Sequence, residues 1–484
     1  MNNFIIIGAV FLYILLLFFI SWLTARNNSD NEAFFLGNRQ SPWYIVAIGM
    51  TGSSISGVSF VSVPGWVRTT DMTYMQMVFG FFIGYIIIAK VLLPLYYKLN
   101  VTSIYEYLEN RLGLSSYKTG ASFFILSKLL GSAAKLYIVV AILQNYVFNQ
   151  WNIPFEATVF ICILVIWIYT FRSGMRTVVW TDTLQTICLV AMLTIIIWSV
   201  KNAMNLDFKG MTDVIMESRH FRMFEFEDWS SRQHFVKQFL IGIFIPIVMT
   251  GLDQDMMQKN LTCNNLKEAQ KNMYWYGFAF IPLNFMFLCL GIMLISFAAV
   301  TDMQLPTSGD DILPMFCISG MLGQFILIFF TIGIIAAAFN SADSALTAIT
   351  TSFCVDILGI KKEDIKKAER TRYKVHLLGA MIFAIIILLF KALNDKSIID
   401  VIYTLVSYTY GPLLGLFTFG LFTKYIPNNK NVPYICTVSP IACYALDYCS
   451  KRYLDYQFGY ELLIINGLIT FLGLYFFHKK QMPE

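Results

Sequence analysis

Phe330 to Leu358 reads FTIGIIAAAFNSADSALTAITTSFCVDIL, an apolar stretch long enough to cross a bilayer that carries a carboxylate, Asp343, near its middle. A charge at membrane depth costs about 2.5–3.5 kcal/mol even on the lenient insertion scale, so Asp343 calls for a positive partner or water. Asn340, Ser341, Asp343, Ser344 and Thr347 recur at spacings of three and four, which gathers their oxygens on one side of a helix. Oxygen ligands without thiols or imidazoles suit a hard cation such as sodium.

Outward from that stretch the same character continues. Of 484 residues, 57% are hydrophobic and only 13% charged, and mean hydropathy is +0.62. Runs of about 20 apolar residues recur and none alternates with the period of a barrel strand, so the fold class is an all-α polytopic membrane protein. The first run, Phe4 to Thr24, lacks a basic leader and a small-residue cleavage site, and reads as a retained helix. The nine cysteines are scattered without a CxxC pair and imply neither metal nor disulfide framework. Lys and Arg never interleave with aromatics as on a nucleic-acid face, which excludes that partner class. No HExxH, GxSxG or GxGD constellation supports an enzyme.

About thirteen spans are expected, centred near residues 14, 54, 84, 134, 165, 189, 247, 285, 340, 384, 410, 441 and 468. One set of loops holds Arg26, Arg39, Lys98, Arg111, Lys118, Arg172, Arg176, Lys259, Lys267 and Lys271, then the 361–374 cluster, which includes Lys361 and Lys362, and finally Lys424, Lys430, Lys479 and Lys480. The positive-inside rule makes that side cytoplasmic, with the N-terminus external, the C-terminus cytoplasmic, and the chain in the plasma (inner) membrane.

Two spans differ from the rest. Ala47–Phe60 (AIGMTGSSISGVSF) is too rich in glycine and hydroxyls for a continuous lipid-facing helix, and in Ile241–Asp255 (IGIFIPIVMTGLDQD) proline and glycine bracket a short helix that runs into acids. Both read as broken helices, and they stand five spans apart, as in a five-plus-five inverted repeat with its site where the breaks meet. The chain then divides into a peripheral helix (1–28), a first repeat (40–235), a second (236–425) and two C-terminal helices with a short tail (426–484).

Carbonyls freed at Gly52 and Ile55, facing Ala337, Asn340 and Ser341, make an uncharged cage for sodium. Asp182, in Val178–Thr183, can meet Asp343 and Ser344 around a second cation. On the fourth span Lys128 and Lys135 share a face; Lys128 can snorkel to the surface, whereas Lys135 binds either a substrate carboxylate or one of the acids. Ser56, Ser59, Gln76, Asp253, Gln254 and Tyr410 are further candidates for a hydrogen-bonded solute.

Taken in order, Phe34–Arg39, Gly52–Phe60, Val178–Asp182, Gln258–Leu261, Asn340–Asp356 and Tyr408–Pro412 resemble the sodium:solute symporter family, which includes sodium/glucose, sodium/proline and sodium/sialic acid cotransporters. The resemblance implies a LeuT-type fold and alternating access. Counting back from Asp356 as in the family's common sodium site lands on Ala337, Asn340 and Ser341, with Asn340 in place of the usual hydroxyl. At the additional site of some members the chain keeps Asp182 and Ser344 but has Asp343 for a hydroxyl, which strengthens the site or lets it take a proton. Ser54 stands where proline-type members have an acid, and sialic acid members place an arginine one turn from Lys135. The expected function is therefore sodium-coupled import of a small organic solute, a sugar, sialic acid or other carboxylate. Sodium is the coupling ion, the bilayer and the solute are the other partners, and no organic cofactor is needed. Proton coupling through Asp343 and an ion channel are the alternatives.

Overall fold

The computed structural model describes residues 3–25, 31–171, 174–323, 325–360, 365–393, 398–453, 456 and 458–481. Arg26, Arg172, Lys361 and Lys362, named above as loop cations, lie outside them. A peripheral span α1 (Asn3–Ala25) and a short helix α2 (Asn31–Leu36) precede the core. The first half of the core comprises α3 (Trp43–Ser54) and α4 (Gly57–Thr70), α5 (Tyr74–Ile87) continued by α6 (Leu93–Leu99), a connecting α7 (Glu106–Leu112), then α8 (Leu114–Leu143), α9 (Phe155–Thr170) and α10 (Met175–Ala203). After a loop helix α11 (Phe208–Met216), the second half runs α12 (Phe235–Pro246), α13 (Gln254–Leu261), α14 (Leu266–Val300), the loop helix α15 (Ile312–Ile318), α16 (Ile326–Ser352), α17 (Ile365–Leu393) and α18 (Ile398–Phe422). Two outer helices follow, α19 (Val432–Tyr453) and α20 (Glu461–Phe476).

Every expected span centre falls on one of these helices or bent pairs. Among the described residues seven helices are individually long and apolar enough to cross a membrane, and two bent pairs raise that to nine. Periodicity did not foresee the four short helices α2, α7, α11 and α15, nor the antiparallel pair Tyr425–Pro427 with His478–Gln481.

The bent pairs are the two broken spans. Ile55 and Ser56 leave helical geometry (ψ 81° and 164°), α3 and α4 diverge by 60°, and Ser56 Oγ caps the new helix by accepting from the Ser59 N–H at 3.4 Å. In the second half Pro246 leads into a π-turn over Ile247–Gly251, and α13 restarts at an angle of 67° with Asp253 as its cap, accepting from the Met256 N–H at 3.2 Å. Proline removes a ladder donor and the capping side chains supply the orphaned N–H groups of each restarted helix, so both breaks are encoded locally. Close approach seats the first broken span against α10 and the second against α5. A Cβ on Gly52 would lie 2.0 Å from Thr186 Oγ1, and one on Gly242 would lie 2.4 Å from the Met77 carbonyl, so only glycine fits either seam.

Candidate functional site

The two breaks face a cavity of about 1360 Å³, counting the part open to solvent. Ser53, Ser54, Ser56 and Ser59 line it from the first break, Thr250, Asp253 and Asp255 from the second, Lys128, Ser132 and Lys135 from α8, Ser341 from α16 and Tyr410 from α18. Tyr74 and Tyr460 place its outer walls near the 71–73 turn and the start of α20.

Toward the opposite face the molecule is sealed by side chains that bind backbone. The hydroxyls of Tyr96 and Tyr105 donate to the carbonyls of Gly251 (2.9 Å) and Leu252 (3.0 Å), in the second break itself. Tyr97 donates to Asn260 and Cys263, and Lys118 to the carbonyls of Asp356 and Ile357 at 2.6 and 2.7 Å. The buried Asp356 carboxylate accepts from Ser103 (2.8 Å), Tyr117 (3.0 Å) and Ser352. The end of α16, the loop before α7 and the start of α8 are thus joined through one carboxylate.

From the cavity wall inward runs a ladder of charges, with Lys128, Asp253 and Asp255 on the wall and Lys259 and Asp182 behind it. Lys259 Nζ sits 2.7 Å from Asp182 Oδ2, 3.9 Å from Asp255 Oδ1 and 2.5 Å from Ser53 Oγ. Lys128 Nζ sits 2.7 Å from Asp255 and 3.1 Å from Asp253, and the Tyr410 hydroxyl donates to Asp253 at 2.5 Å. Ser53 Oγ also lies 2.5 Å from Asn340 Oδ1, so the first break touches α10, α13 and α16 through one hydroxyl. Two expectations are corrected here. Lys259 is no loop cation but is 1% exposed, and Lys128 does not snorkel but bridges two acids.

The expected residues are distributed as follows. Ala337 packs 3.7 Å from the position a Cβ would take on Gly57, which sets it against the first break beside the buried Ile55 and Gly52. Ser341 Oγ is shielded and has no hydrogen-bond partner, whereas the Asn340 amide is engaged by Ser53 and by the Asp182 carbonyl at 3.4 Å. Asp343 accepts from the Tyr169 hydroxyl at 2.7 Å and from the Ser344 N–H at 2.6 Å. Ser344 Oγ donates to the Asn340 carbonyl and lies 3.4 Å from Asp255. Ser56, Ser59, Lys135, Asp253 and Tyr410 line the cavity; Gln76 and Gln254 do not. The Gln76 amide is fixed by the Gln233 carbonyl and the Glu225 N–H, tying the 217–234 loop to α5, and that of Gln254 by Thr102 and Ile104 on the sealed side. A glutamine next to a buried turn satisfies backbone as readily as a solute, and its spacing does not distinguish the two. Lys259, Tyr169 and Asp255 escaped the sequence reading as site residues, although the polar run Gln254–Asn260 beside a break was a usable signal.

The sodium:solute symporter family model matches residues 34–429, most of the chain. The chain belongs to the sodium:solute symporter family. Similar curated proteins are the sodium/sialic acid symporter SiaT of Proteus mirabilis, 26% identical over 97% of this chain and 95% of that protein, and the sodium/sialic acid symporter NanT of Aliivibrio fischeri, 26% identical over 96% and 92%. The sodium-coupled monocarboxylate transporter 2 of Danio rerio is 25% identical over 82% of this chain and 64% of its own length. The solved substrate-bound outward-open state of a Na+-coupled sialic acid symporter superimposes with a TM-score of 0.83 at 20% identity, covering 98% of this chain and 97% of that one. The fold is therefore the LeuT-type inverted repeat, and the chain is a sodium-coupled symporter of a small solute in a membrane it crosses many times.

Proposed function

We propose that this symporter imports an organic anion, a sialic acid or another small carboxylate, with its carboxylate held by Lys135. The observation that carries this is the contrast between two lysines of α8. Lys128 is neutralised by Asp253 and Asp255, whereas Lys135, also on the cavity wall, has no ion-pair or hydrogen-bond partner among the described residues. A cation left unpaired on a cavity wall attracts an anion strongly. Ser56, Ser59, Ser132 and Tyr410 supply hydroxyls for the rest of the solute.

Sodium binds first at the first break, through the carbonyls of Gly52 and Ile55, Ala337, the Asn340 amide oxygen and Ser341, whose free hydroxyl is suited to a hard cation. A second ion belongs near Asp182, Asp343 and Ser344. Four buried carboxylates, Asp182, Asp253, Asp255 and Asp343, meet only two paired lysines, and two sodium ions balance the excess. Each sodium entering under 100 mV releases about 2.3 kcal/mol and each tenfold gradient about 1.4, so a second ion offsets the work of moving an anion inward. The solute passes chemically unchanged and no organic cofactor takes part. With the lysine-rich loops in the cytoplasm, the chain lies in the inner membrane with its N-terminus outside and its cavity facing outward.

The test is thermal stability of the purified protein in sodium or potassium across sialic acids, monocarboxylates, sugars and amino acids. Stabilisation by an acid only in sodium, lost in Lys135→Gln and in Ser341→Ala, is the expected result. Equal stabilisation by a neutral sugar in Lys135→Gln would overturn the anion reading.

A further inference from the structure

The N-terminal helix α1 lies outside the inverted repeat and turns Phe11, Leu12, Phe19 and Trp22 outward, while Ile6, Tyr13 and Leu17 face the protein, and of these Tyr13 alone is polar. Tyr13 is 5% exposed, and its hydroxyl has no hydrogen-bond partner. A phenylalanine would bury the same ring without an orphaned hydroxyl, so packing alone does not account for tyrosine. The hydroxyl interacts with the Gln185 side chain of α10 without reaching full hydrogen-bond geometry, and it feels Cys188 and the charges of Asp182 and Asp343. Gln185 is 1% exposed with neither amide atom bonded, and Asp182 Oδ1 is equally unpartnered although its other oxygen meets Lys259. Tyr169 joins the group by donating to Asp343, and its carbonyl accepts from Ser21 of α1 at 2.7 Å. A second tie, Thr24 to Thr177 at 2.6 Å, holds α1 against α10.

Tyr13, Gln185 and Asp182, on two helices, therefore bring shielded oxygens without a full hydrogen-bond partner beside a fourth group, the Asp343 carboxylate. We propose that α1 contributes to ion binding: Tyr13 and Gln185 complete, with Asp182 and Asp343, the oxygen shell of the second sodium. The inference rests on the second-ion reading above and adds to it a helix that the repeat does not contain. Tyr13 Oη and Gln185 Oε1 are neutral ligands, which lets the ion enter and leave a pocket that two carboxylates alone would hold too tightly. The Cys188 thiol borders the pocket but is a soft ligand that a hard cation leaves aside.

The experiment is sodium titration of thermal stability at constant ionic strength, without solute, for the full-length protein and for Tyr13→Phe, Gln185→Leu, Asp343→Asn and Ser341→Ala. Tyr13→Phe and Gln185→Leu should each raise the half-saturating sodium concentration about three- to tenfold, the loss of one neutral ligand, with the midpoint in potassium unchanged or higher. Two variants guard against one failing to fold. If both titrate like the unmodified protein while Asp343→Asn does not, the pocket holds only packing or water and this inference falls alone. If Asp343→Asn is also without effect and only Ser341→Ala shifts the curve, the second ion falls with it. Stabilisation that follows pH and ignores sodium in the Tyr13 and Gln185 variants would overturn the proposal in favour of a proton.

Discussion

Lys259 holds the residues of the site together. Its ammonium contacts the acid of α10, the acid of its own helix and the hydroxyl of the first break, all out of water. Removing one member of a buried ion pair leaves the other charge uncompensated, at a cost of about 3–5 kcal/mol. Lys259→Met should therefore lower stability by that order, and Lys259→Met with Asp182→Asn should recover a substantial part of it; a double-mutant cycle on thermal unfolding reads the coupling, and strict additivity would refute it. Such pairings were not legible in the sequence, where Lys259 reads as one more basic residue near a loop and its partner stands 77 positions away. Asp343, Asp182 and Ser341 were legible because intramembrane polar groups are costly wherever they occur. Tyr13, Tyr169 and Gln185 were not, since a tyrosine or glutamine in an apolar run carries no comparable signal.

The broken helices were readable because their causes are local: glycine, proline and capping side chains lie within a few residues of each break. The seal on the far side was not, because its tyrosines bind backbone carbonyls more than 100 residues away. That seal predicts how the elements move. Asp356 joins the loop before α7, α8 and the end of α16, and Cys354 is a free, fully buried thiol two residues before it. Asp356→Asn and Tyr117→Phe each remove part of the junction and should populate the state open on that side. The measurement is maleimide labelling of Cys354, with the other cysteines replaced, applied from the face that carries the seal. Several-fold faster labelling in both variants is expected, and slowing by external sodium would mark the effect as conformational. Labelling at the unmodified rate would show that the seal is held elsewhere.

At the scale of the whole molecule, nine helices and bent pairs among the described residues follow from length and hydropathy, while the direction of insertion proposed above rests on where the lysines fall. Net transport of two sodium ions with one monovalent anion moves one positive charge per cycle, so solute addition to voltage-clamped membranes should give an inward sodium-dependent current; electrically silent uptake would fit one sodium per anion instead. The seal has a further, electrical consequence. In the orientation proposed above, water in the wide cavity conducts, so the half of the protein around it sits near the potential of the external bath, and the membrane voltage falls mainly across the layer closed by Tyr96, Tyr97, Tyr105 and Asp356. A solute reaching the site proposed at Lys135 then crosses little of the field. Voltage dependence should appear in the step that transfers the field to the other side of the cavity, as a transient charge movement that persists without solute, and the apparent affinity for solute at saturating sodium should hardly change with voltage.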